Sequence, residues 1–127
     1  MAHPAPYPVR LADDIARQLG QLTNDLARLP TDQAMQVLAR VLDPREGILG
    51  RFTSLVSTGS VHAKDHAERG LLHAEVWLAL GRAANDLDSL GFDLEPTLNT
   101  LQRFSTQPAA TTATPPAPAP LVVRRRR

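Results

Sequence analysis

LHAEVWLALGRAANDLDSL, residues 72–90, is the stretch on which the fold turns. Leu72, Val76, Leu80, Ala83, Leu87 and Leu90 are spaced 4, 4, 3, 4 and 3. A half-buried strand would alternate with period two. Steps of three and four instead draw one apolar stripe along an α-helix. Trp77 and Ala84 widen that face, and Leu78 and Ala79 carry apolar character off its main seam. An arc this broad on a small protein calls for central burial or a partner surface. Val76, Trp77, Leu78 and Leu80 are therefore the candidate interaction face. Gly91 is placed to end the helix.

The same spacing recurs near the N-terminus. Leu11, Ile15, Leu19, Leu22, Leu26 and Leu29 predict a helix of about five turns that Pro30 stops. Asp13 and Asp14 lie near its start, where the helix dipole favours negative charge. Two stripes of mixed three and four steps suit shallow-angle packing against each other. Between them, Thr31 is placed to cap a helix with Met35, Leu38 and Leu42 in its stripe. DPRE, residues 43–46, reads as a capping box with Asp43 as N-cap and Pro44 at the first helical position. It would open a third helix carrying Ile48, Leu49, Phe52, Leu55 and Val56, with an exit at Thr58-Gly59. Gly47 and Gly50 weaken its first turns by roughly 1 kcal/mol each relative to alanine.

SVHAKDHAERG, residues 60–70, has only Val61, Ala63 and Ala67 as apolar side chains. It predicts a short polar helix between a Ser60 cap and Gly70, or an irregular linker. Asp93 is placed to cap a last helix with Leu94, Leu98, Leu101 and Phe104, and Pro96 falls in its tolerant first turn. No stretch alternates with period two, and no Asn-Gly or Asp-Gly hairpin signal occurs. The expected fold class is all-α, a small bundle of four to six helices over residues 9–104. Residues 1–8, with Pro4, Pro6 and Pro8, predict an extended arm. Residues 105–127 predict a disordered tail rich in proline, alanine and threonine that ends in Arg124–Arg127.

The chain has 127 residues, enough for one domain that buries a core without metal or disulfide. Absence of cysteine excludes disulfides, thiolate zinc sites, iron–sulfur clusters and cysteine nucleophiles. The first ten residues contain no apolar signal region, and no apolar run approaches the ~18 residues of a membrane span. The expectation is a soluble, cytoplasmic protein. Arginine outnumbers lysine 13 to 1 and alanine is abundant, a bias that suits a GC-rich bacterial gene. Net charge is +1 from 14 basic and 13 acidic residues; without Arg124–Arg127 it is 10 against 13, or −3. The body is mildly acidic and the extreme tail strongly basic.

His62, Asp65 and His66 are the residues most suggestive of chemistry. On a helix, His62 and His66 stack one turn apart, the geometry of a two-histidine metal site. H-x-x-D-H also echoes the zinc-peptidase pattern H-x-x-E-H. The echo has Asp where a longer Glu serves as base, and no third ligand follows. A solvated helix face with an Asp65–Arg69 charge pair accounts for the same residues. Ser54, Ser57 and Ser60 precede His62, but no G-x-S-x-G elbow is present; such hydroxyls more often cap helices. No phosphate-binding glycine motif occurs.

Nucleic-acid binding has two candidate supports. Arg124, Arg125, Arg126 and Arg127 on a flexible tether would give sequence-independent, salt-sensitive affinity for phosphates. Residues 48–69 would make a helix-turn-helix if Thr58-Gly59 were the turn, with Lys64 and Arg69 on the recognition helix beside Asp65 and Glu68. An anionic membrane surface would attract the same tail. The reading favoured by the sequence is a non-enzymatic adaptor, regulatory or assembly protein acting through apolar helix faces. It needs no cofactor and takes a protein partner or a second copy of itself, as a homodimer. A nucleic-acid accessory protein using the arginine tail and a metal-binding protein using His62 and His66 are the alternatives.

Overall fold

The computed structural model describes residues 4–106. They form five α-helices and no strand: α1 (Tyr7–Leu26), α2 (Thr31–Leu42), α3 (Ile48–Glu68), α4 (Ala74–Asp93) and α5 (Glu95–Thr106). The all-α bundle expected from periodicity is what the chain adopts. Arg124–Arg127 and the rest of the proline-rich tail from residue 107 onward lie outside the described residues.

Helix α1 starts earlier than the prolines suggested. Residues 7 and 8 belong to the helix and not to an extended arm. Pro8 sits in the first turn, where its missing N–H costs nothing, and the Val9 and Arg10 amides donate to the Pro6 carbonyl.

The largest departure from expectation is α3. It runs unbroken through Thr58-Gly59 for 21 residues, so residues 60–68 are the second half of one helix and Arg69-Gly70 its exit. Local propensity there is weak, but Ser60, Ala63 and Ala67 share a face directed at α4. Packing on that face overrides propensity. The helix closes in a Schellman motif. Gly70 takes φ +78°, the Leu71 amide donates to the His66 carbonyl at 2.9 Å, and the Gly70 amide donates to Ala67 at 3.0 Å. The short connection folds α4 back antiparallel along α3, and this is the most extensive helix pairing in the molecule.

The contact surface between α3 and α4 is built from small residues. Ala63 and Ala84 are buried, and a Cβ on Gly81 would lie 3.4 Å from the Ser60 hydroxyl. Ser60 Oγ donates to the Trp77 carbonyl at 3.1 Å, tying the two helices. Small side chains let the backbones approach, which leaves the larger apolar residues on the flanks.

A second antiparallel pair, α2 with α5, joins the first through two adjacent elbows. One elbow is Asp43–Gly47. Asp43 does not cap α3 as DPRE implied; its carboxylate accepts from the Arg45 amide at 3.0 Å and stabilises a tight turn, and α3 starts after Gly47. The other elbow is Leu94, between α4 and α5. Gly91 does not end α4. It is buried against the first elbow, where an added Cβ would meet Pro44 Cβ at 2.9 Å. Gly50 is also buried, because a Cβ there would reach 2.5 Å from the Arg45 carbonyl oxygen.

Helix α1 does not pack along α4. It makes no extensive contact with any other helix and has no buried residue. Helix α4 pairs instead with α3, whose full length was hidden by its polar second half.

Candidate functional site

His62 and His66 do stack, with ring centroids 4.4 Å apart and planes tilted by 53°. His66 Nδ1 lies 3.0 Å from the His62 carbonyl oxygen, so it is an N–H donor and leaves only Nε2 for a ligand. Asp65 is paired with Arg69 at 3.0 Å, the charge pair expected of a solvated face. Among the described residues, no three His, Asp or Glu side chains converge as a metal site would require. Ser54 and Ser57 are exposed, and Ser60 is engaged with the Trp77 carbonyl.

The helix-turn-helix reading fails on the continuity of α3, which leaves no turn at Thr58-Gly59. Lys64 Nζ lies 5.4 Å from the Trp77 ring centroid, a cation–π contact, and Arg69 is held by Asp65. No described helix is long and apolar enough to cross a membrane.

The proposed interaction face on α4 divides. Trp77 turns toward α3 and is half-buried. Leu78 is exposed on the opposite flank of α4, about a quarter turn from the α3-facing side and well over a third of a turn from the stripe. Val76 and Leu80 remain together, in line with Leu72, Ala83, Leu87 and Leu90. This stripe does not point at α3. It lies about a quarter turn to one side of the face that does.

Helix α3 carries a matching stripe that sequence reasoning missed. Ile48, Phe52, Leu55, Gly59, His62 and His66 are spaced 4, 3, 4, 3 and 4, a continuous heptad seam. It also lies about a quarter turn from the α4-facing side. In an antiparallel pair the two offsets fall on the same side, so α3 and α4 present one common face. Leu49 packs near Gly91 and Ser60 near Trp77 and Gly81, which sets Phe52 and Leu55 opposite Leu87 and Ala83. The histidines then stand opposite Leu72 and Val76, at the far end of the same face.

That face is open. Leu55 is 65% exposed and Phe52 51%, and Ile48, Leu72, Val76 and Leu90 all exceed a third. Among the described residues the buried apolar side chains are Ala39, Ala63, Ala84 and Leu98, and no large side chain is fully buried. The signal was available in the sequence, since α3's heptad spacing is regular once the helix is carried past Gly59. No known protein family, curated protein or solved structure matches the chain.

Proposed function

We propose that the protein is a non-enzymatic interaction module, an adaptor or assembly component, that works through the apolar face shared by α3 and α4. One observation carries this reading: two aligned heptad stripes on an antiparallel helix pair stand open to solvent while the core between them is built of alanine and glycine. Each exposed Leu, Ile or Phe that a partner covers contributes about 1.5–3 kcal/mol. A contiguous apolar face of this kind marks a binding surface. Helix-in-groove docking, read through positions three and four apart, is the recognition mode that such a surface offers.

Sedimentation velocity of the native chain and of Leu55→Glu, from about 1 to 100 μM, brackets a micromolar interaction. Leu55 is exposed, so the substitution leaves the fold intact, which circular dichroism verifies. The expected result is a complex heavier than the 13.8 kDa chain, with itself or with a co-purified protein, that Leu55→Glu removes. A native chain that stays at 13.8 kDa and has no binding partner sensitive to Leu55→Glu overturns the reading.

A further inference from the structure

The open face on α3 and α4 is not the only unpartnered apolar surface. Helix α1 carries Leu11, Ile15, Leu19, Leu22 and Leu26 on one stripe, and Leu11, Ile15 and Leu19 are exposed. Twenty residues without a buried side chain are a marginal helix in water, because most helical stability in proteins comes from packing an amphipathic face. Its start has neither a side-chain cap nor an acidic first turn to help it. Something must cover α1 for it to hold its length.

The two open surfaces correspond in three respects. They match in length, with 20 residues in α1, 21 in α3 and 20 in α4. They match in spacing, since all three stripes step by three and four, as knobs-into-holes packing needs. They match in number, for each chain offers one single-helix ridge and one two-helix groove.

We propose that α1 of one copy lies in the α3/α4 groove of a second copy, and that the exchange is reciprocal, giving a closed two-fold dimer. The proposal rests on the interaction reading above and names its partner. Laying a helix about 30 Å long into a groove removes on the order of 500 Å² from each surface. Reciprocal exchange makes this roughly 2,000 Å² in total, the size of a stable interface. Because each ridge meets a groove of the other chain, one contact type satisfies both surfaces and the assembly closes at two. Packing groove against groove would leave both copies of α1 bare.

The absence of cysteine makes the test clean. Full-length Ile15→Cys and Leu55→Cys chains are prepared separately, mixed, and treated with a short bismaleimide linker. Ile15 lies near the middle of α1 and Leu55 near the middle of the groove. They therefore approach whichever way α1 runs. The expected result is a linked species of twice 13.8 kDa in the mixture and little in either variant alone. Linkage in Leu55→Cys alone means groove against groove, and linkage in Ile15→Cys alone means ridge against ridge. Either overturns the exchange while leaving an interaction protein. An Ile15→Cys/Leu55→Cys double variant that links within one chain, or no linkage in any sample, also overturns it. A native chain that associates by sedimentation yet fails this cross-linking refutes the exchange but not the function.

Discussion

Helices α1 and α4 carry stripes with the same spacing, yet α4 is packed along its length and α1 has no buried residue. The difference does not lie in the stripes. In α4 the stripe of Leu72, Val76, Leu80, Ala83, Leu87 and Leu90 is itself largely open. What anchors α4 is a narrower face of Trp77, Gly81, Ala84 and Gly91, set against Ser60, Ala63 and Pro44. Helix α1 has no such face brought against a neighbour. Between α3 and α4 small residues make the contact, and the larger apolar ones are left on the flanks.

That contrast can be broken by overfilling the small face. Ala84→Leu forces a large side chain between α3 and α4 and costs about 1–3 kcal/mol. A shift of about 4–8 °C in Tm per kcal/mol makes this plain in a thermal melt followed by circular dichroism. An unchanged melt means that the pair is not closely packed. Gly50→Ala comes next. Its Cβ meets the Arg45 carbonyl region at 2.5 Å, and the loss of about 1–2 kcal/mol outweighs the gain in helix propensity. Urea denaturation detects it; a stabilised variant would mean that the elbow yields freely. Gly70→Ala places a side chain at φ +78° and costs about 1 kcal/mol, read in the same titration. Leu78→Glu sharpens the contrast from the other side. It lies on the opposite flank of α4, outside the proposed face, so stability changes by less than about 0.5 kcal/mol and the sedimenting mass stays that of the native chain. Loss of assembly in this variant, with Leu55→Glu silent, would move the binding surface to that flank of α4.

The fold class was legible because period-three-and-four stripes on α1, α2, α4 and α5 leave no alternative. Gly70 was also legible, since a glycine after a polar stretch is where a helix exits through a left-handed residue. The full extent of α3 was not. Its second half has few apolar residues, and its helicity depends on Ala63 and Ala67 finding α4, a contact that no local window contains. DPRE misled for a related reason. Asp43 serves a turn as readily as a helix cap, and the choice falls to Gly47 and Gly50, which let the backbone fold closely over residues 40–45, a geometry that residue type alone does not specify. The open apolar face was half legible. Val76 and Leu80 lie on it, whereas Trp77 and Leu78 point elsewhere, and the α3 half is visible only once α3 is known to be continuous.

Pro44 and Gly91 bring the α2–α3 connection against the last turns of α4, just before the step into α5. A methyl group on Gly91 would meet Pro44 Cβ at 2.9 Å, so one added carbon there presses on the joint between the two helix pairs. The room left by a single absent side chain thus sets how closely the two halves of the molecule are joined.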